Sequence, residues 1–212
     1  MTDILNQIKK YIPEDIVNSL PITKFNAGET ILNIEDNYFL IILEGTAHGI
    51  RYQDDKKIIY PYLWKKGCMV GFNMLLSKSK KNWEFIAFTP LVAVLFTPEV
   101  IEKYIFQVPK SFKFFVESNM YILEAGLKGF YILAHGGAKA YLALLLIEGS
   151  QNKIFYFRKY ENFADILGIS KSMLFRITKE FIEKGMIQKG RKEVIILNPE
   201  GLKDLYREYL YF

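Results

Sequence analysis

The sequence predicts an α+β chain in three parts: an antiparallel β-roll, a long helix, and a helix-turn-helix closed by a β-hairpin. Three observations carry this. Residues 25–97 hold short β-rich runs between turn signals, residues 98–134 place apolar side chains at helical spacing, and residues 160–197 read as helix, tight turn, helix and hairpin. The matching division is 1–97, 98–135 and 136–212. A chain of 212 residues is long for one small domain and comfortable for two; with half its residues hydrophobic and 16% aromatic, it can build a packed core throughout.

Taking the elements in order, the N-terminal MTDILNQIKKYIPEDIV reads as an amphipathic helix interrupted at Pro13, not as a signal peptide. The strands of the roll are expected at Thr30–Ile34, Tyr38–Leu43, Ile58–Leu63, Phe85–Phe88 and Leu91–Phe96. Ala27-Gly28, Glu44-Gly45, Asp54-Asp55, Lys66-Gly67 and Thr89-Pro90 punctuate them. Ile31, Phe39, Ile41, Leu43, Ile59 and Val94 are the candidate interior. A ligand cavity and a plain packed core are both open to such a roll.

From about Pro98 the pattern is helical and runs to about Ala134. Phe112, Val116, Asn119, Leu123, Gly126, Phe130 and Leu133 follow at alternating spacings of four and three, a heptad-like seam suited to pairing with a second copy. Asn119 would fix register there, as a lone polar seam residue does. Gly126 and Gly129 each cost about 1 kcal/mol against alanine in a helix interior, which is tolerable where two backbones approach closely. A helix packed only on its own domain gives the same pattern. His135-Gly136-Gly137 then breaks the helix before Ala138–Ile147 and is a hinge candidate.

In the C-terminal part, Phe163, Ala164, Ile166 and Leu167 give the first helix its apolar face, and Gly168 ends it, because glycine enters the left-handed cap conformation without steric cost. Ser170 can accept from the backbone N–H groups that open the next helix. That helix is expected to turn Leu174, Ile177, Phe181 and Ile182 inward, leaving Lys171, Ser172, Phe175, Arg176 and Lys179 outward or at the edge. A helix held this way can lie in a DNA major groove with its first turns against the bases. Charge agrees: residues 170–192 hold seven Lys/Arg against two Asp/Glu, although the whole chain is only +5. A concentrated positive field favours a polyanion through phosphate neutralisation, though a solvated surface also accounts for a charge excess.

Other classes find little support. The single cysteine, Cys68, excludes an intramolecular disulfide and a multi-cysteine metal or iron–sulfur site within the chain. There is no glycine-rich phosphate loop, no histidine paired with a nucleophile and no metal-ligand spacing, so neither an enzyme nor a cofactor is expected. The longest apolar runs, such as Tyr141–Ile147, fall far short of the ~20 residues that span a bilayer. The expected setting is cytoplasmic, without membrane contact.

The order of these parts and the run ADILGISKSMLFRITKEFIEKGMI with its KGRKEVIIL hairpin resemble the Crp/Fnr family, the cyclic-AMP receptor protein and fumarate-nitrate regulator group. The resemblance covers about residues 15–205 and includes Gly28-Glu29, Glu44-Gly45, Lys66-Gly67 and Gly71, which match the family's turn glycines. It implies a double-stranded β-helix (jelly-roll-like) sensor, a dimerisation helix and a winged helix-turn-helix. It further implies a homodimer on a near-palindromic operator that recruits or blocks RNA polymerase. By position, Ser170 would contact phosphate while Lys171, Ser172 and Arg176 occupy the base-reading surface. Arg176 can bond guanine O6 and N7 together, and Lys171 reads guanine or holds a phosphate. Ser172 stands where a glutamate is frequent, so the usual cytosine contact is not carried over. Phe175, where a small residue is common, either touches a thymine methyl or packs beside the first helix. Lys189, Arg191 and Lys192 on the wing, and Lys179, are phosphate candidates.

The same resemblance sets the effector pocket at Gly71, Phe72, Lys81 and Asn82. Members that bind cyclic nucleotides present a glutamate where this chain has Phe72 and an Arg-Ser/Thr pair where it has Lys81-Asn82. An aromatic ring cannot accept from a ribose hydroxyl, and lysine lacks arginine's fork, so cyclic AMP is not expected. A small-molecule effector is open but unidentified. Cys68, beside Lys65 and Lys66, is a redox candidate because nearby cations raise a thiol's thiolate fraction; its alternative is a small buried hydrophobe. The alternative to a DNA reader is a ligand-binding module whose helix-turn-helix makes protein contacts.

Overall fold

The computed structural model describes residues 2–33, 36–53, 56–76 and 83–210. Two short helices, Thr2–Ile8 and Glu14–Ser19, precede the first strand, with Pro13 as the N-cap of the second. Eight strands follow: β1 Ile22–Phe25, β2 Thr30–Asn33, β3 Phe39–Glu44, β4 Ala47–Gln53, β5 Lys56–Trp64, β6 Met69–Val70, β7 Trp83–Ala87 and β8 Leu91–Phe96. They make two four-stranded sheets, ordered β1-β8-β3-β6 and β2-β7-β4-β5. Strands β1, β4 and β6 and a helix at Phe72–Leu76 were not among the expected elements.

The chain divides into two units, 1–57 with 64–124 and 58–63 with 125–212. In the first, side chains from both sheets meet in one core: Ile31 and Leu32, Leu40 and Ile42, Ala47, Val70, Phe85, Leu91 and Ala93. Strand β3 is buried at five successive positions because its alternate side chains are covered as well. Phe39 stacks on Phe96 at 4.6 Å and meets Phe72 edge-on at 5.2 Å, and Phe115 closes the group 5.7 Å from Phe39. Of the expected interior, Ile31, Phe39, Ile41, Leu43 and Val94 are buried, but Ile59 is only partly covered.

Helical structure after the roll is not continuous. A short helix Pro98–Val100 leads into a π-helical turn, Ile101–Phe106, and the long helix starts afresh at Pro109. Proline at that position disfavours helical backbone in the residue before it. The helix Pro109–Gly149 bends at Gly137, whose φ of 73° and ψ of −179° are essentially confined to glycine. One stretch of this helix is long and apolar enough to cross a membrane by length and composition alone. Phe115, Ile122 and Ile132 are nevertheless buried within the protein, as in a core helix.

Past the bend, Ala140, Tyr141, Leu142, Ala143 and Leu146 form the floor of the second unit. Above them lie β9 Ile154–Tyr156, the helices Asn162–Leu167 and Lys171–Glu183, and the hairpin β10 Ile187–Lys189 and β11 Glu193–Ile196. The three strands form one antiparallel sheet, β10-β11-β9, with Lys189 opposite Val194 and Tyr156 opposite Glu193.

Candidate nucleic-acid interface

The turn between the two helices is set by local chemistry. Gly168 adopts φ 64°, ψ 32°, and the Ile169 N–H donates back to the Ala164 carbonyl at 3.0 Å, a Schellman-type closure. Ser170 is extended, and its Oγ accepts from the Met173 N–H at 3.2 Å. The hydroxyl also lies 3.0 Å from Ser172 Oγ. Phe163, Ala164, Ile166 and Leu167 are all buried, as are Leu174, Ile177, Thr178 and Phe181 on the second helix. Ile182 departs from expectation: it is 45% exposed, one position past the buried stripe at the helix end.

Besides Ile182 and Glu183 at its end, the second helix shows Lys171, Ser172, Phe175, Arg176 and Lys179 to solvent. The Arg176 guanidinium lies along the helix, Nη2 2.7 Å from Met173 Sδ. Lys179 shares its charge with Glu183 at 3.6 Å. Glu180 is bonded by Lys139 and by Lys184, the latter at 2.8 Å, and these contacts hold its carboxyl down at about 2. Both acids on this helix are thus engaged by lysines. Among the described residues, Lys171, Arg176, Arg191 and Lys192 take part in no ion pair, so they carry the net positive field. Arg191 and Lys192 form the exposed tip of the hairpin, closed by the Gly190 N–H donating to Glu193 O at 2.8 Å.

Lys189 is placed differently from its wing neighbours. Its ammonium sits 5.0 Å from the ring centroid of Tyr160 and 5.7 Å from that of Phe157. Tyr160 is itself buried, shares a hydrogen bond with Thr178 at 2.8 Å, and is pushed up to about 12 by that burial. This keystone ties the start of the first helix to the second helix and the hairpin. Sequence reading missed it; the available signal was a threonine on an otherwise apolar helix face.

Around the roll, Gly28, Gly45, Gly67 and Gly71 all have φ between 84° and 93°. Phe72 is a fully buried member of the aromatic core. A Cβ on Gly71 would lie 2.6 Å from Leu32 Cδ1. Lys81 and Asn82 lie outside the described residues. Cys68 is buried, and burial pushes the neighbouring Lys65 ammonium below its ordinary range. Along the long helix Asn119 is turned inward, 8% exposed, while Phe112, Leu123 and Phe130 are open to solvent. Val116, Gly126 and Leu133 are partly covered. Among the described residues no three His, Cys, Asp or Glu side chains are grouped to hold a metal ion.

Residues 141–205 match the family model of the Crp-like helix-turn-helix domain. Solved structures extend the likeness over the chain. FixK2 from Bradyrhizobium japonicum superimposes with a TM-score of 0.70 at 13% identity, covering 88% of this chain and 96% of its own. A CRP-family transcriptional regulator from Thermus thermophilus gives 0.67 at 16%, covering 87% and 96%. The chain has the Crp/Fnr fold. A CooA mutant from Carboxydothermus hydrogenoformans shares it along 97% of both chains, with a TM-score of 0.63 at 11% identity. No curated protein sequence matches significantly. The chain thus carries a Crp-like helix-turn-helix domain at residues 141–205 within the Crp/Fnr fold.

Proposed function

We propose that the chain is a homodimeric, sequence-specific DNA-binding regulator that reads a near-palindromic operator with the helix Lys171–Glu183. The observation that carries this is the face of that helix. A buried stripe anchors it, its N-terminus is capped by Ser170, and it offers Lys171, Ser172 and Arg176 together to solvent, while the hairpin that follows exposes Arg191 and Lys192. Lys171, Lys179, Arg191 and Lys192 serve phosphates, and Ser170, whose oxygen accepts at the cap, adds a phosphate contact by donating its hydroxyl hydrogen. Arg176 reads guanine. Lys189 acts mainly in seating the wing.

Pairing of two copies is supported by exposed apolar side chains on the long helix. Phe112, Met120, Leu123, Leu127 and Phe130 are between 37% and 69% exposed and follow heptad-like spacing. The pairing line is thus proposed to pass through Met120 and Leu127 in place of Asn119 and Gly126. Two recognition helices about 34 Å apart would meet successive major grooves. Contact with RNA polymerase at such an operator is part of the proposal. Cyclic AMP is not, because the ring of Phe72 fills a core position and offers no acceptor to a ribose.

The test is selection of genomic fragments by the purified protein at about 0.1 M salt, followed by affinity measurements on the recovered site. A two-fold symmetric motif is expected, with half-sites one turn apart. Affinity should drop on the order of a thousandfold between 50 and 200 mM salt if six or more phosphates are contacted. Retention without a motif and without salt dependence would overturn the reading.

A further inference from the structure

We propose that Phe175 is a specificity-determining residue whose ring takes the C5-methyl group of one thymine in each operator half-site; this rests on the DNA-reading function above. Phe175 is 42% exposed in the middle of the recognition helix, one residue from Arg176 and one turn from Lys171 and Lys179. The core does not need it, since Leu174, Ile177, Thr178 and Phe181 make up the buried stripe.

The ring is also braced. Its centroid lies 6.2 Å from that of Tyr160 at an interplanar angle of 40°. Tyr160 is fixed in turn by Thr178 and by the Lys189 ammonium over its ring. A phenyl group held in this way loses little conformational freedom when it meets a partner. On the major-groove edges the thymine methyl is the apolar group a phenyl can cover. Against guanine, cytosine or adenine edges the ring would strip water from a donor or acceptor without replacing the hydrogen bond. Neighbouring positions on one helix face place this thymine within a base pair or two of the guanine read by Arg176.

The experiment uses synthetic operators in which each thymine of the half-site is replaced singly by deoxyuridine, which removes only the methyl group. Wild-type protein should bind about fourfold more weakly, the worth of one buried methyl, at one position per half-site and be indifferent at the others. Phe175→Ala should bind the thymine and uracil operators equally at that position while keeping its salt dependence, and Phe175→Leu should retain part of the preference. Indifference of the wild-type protein to every replacement, or an unchanged uracil penalty in Phe175→Ala, would overturn the assignment and leave operator binding standing. Loss of all preference for the operator over scrambled DNA would remove the DNA-reading function and the assignment together.

Discussion

The two units use aromatic side chains in opposite ways. In the first unit, Phe39, Phe72 and Phe96 of the roll and Phe115 of the long helix are wholly buried in one cluster whose paired ring centroids lie within 6 Å, none carrying a polar atom. In the second unit Tyr160 is just as deeply placed, but its hydroxyl is bonded to Thr178, its face receives Lys189, and it braces the half-exposed Phe175. The first arrangement gives rigidity through dispersion and exclusion of water. The second conveys the rigidity of a core out to a working surface. The proposed reading of DNA draws on the second kind of stiffness.

The sharpest way to break this contrast is Phe72→Ala. A ring closed in by Phe39 and Phe115 should cost about 3–5 kcal/mol when truncated, read as a shift in the urea midpoint at constant slope. A loss below about 1 kcal/mol would mean the cluster is loosely packed and that the roll has room for a ligand beside it. Next in size is Gly137→Ala. A Cβ there meets nothing within 4 Å, yet φ of 73° with ψ near 180° is strained for any other residue. The expected loss is about 1–3 kcal/mol, arising from backbone alone. Thermal denaturation of this variant checks whether the bend is fixed by conformation or is easily straightened.

How legible each region was follows from the range of its forces. The helix-turn-helix is written in neighbours: Gly168, Ser170 and two apolar stripes specify it within a few residues. Ile182 escaped because a stripe read by spacing does not say where the supporting floor ends. In the roll, β4 has the sequence AHGIRYQ, which shows no alternation; its glycine Gly49 is set by Trp64 and Phe85 about 3.1 and 3.2 Å from where a Cβ would stand. That fit is tertiary. The four-residue β1 offers too few positions to show a period. On the long helix a strict seven-residue reading chose Asn119, which is 8% exposed, whereas its neighbour Met120 faces outward at 49%; spacing alone does not say which side of a helix its own unit covers. The Tyr160–Thr178–Lys189 keystone joins three elements, and its one local sign, a threonine on an apolar helix face, does not name its partners.

A finer test of the contrast removes one polar handle. Tyr160→Phe keeps the ring, so Lys189 and Phe175 keep their neighbour, while Thr178 retains its bond to the Leu174 carbonyl at 2.8 Å. The expected loss is about 1 kcal/mol of stability, seen in chemical denaturation, with operator affinity little changed. A large loss of affinity would instead make the hydroxyl itself part of how the recognition helix is held.

The smallest expected effect concerns acid. Glu180 links the recognition helix to Lys139 on the floor and to Lys184, and those contacts lower its carboxyl from 4.5 to about 2. A carboxylate with a depressed folded-state pKa contributes its stability fully above the unfolded value, near 4.5, and loses it as pH falls towards 2. Wild type should therefore exceed Glu180→Gln in stability at pH 7, and the gap should close steadily between about pH 4.5 and 2. Because the pair is partly open to water, salt at about 0.5 M should narrow the gap at pH 7 as well. A gap that ignores both pH and salt would mean Glu180 supports the helix by packing of its stem, and the second unit would then resemble the roll more closely than its ion pairs suggest.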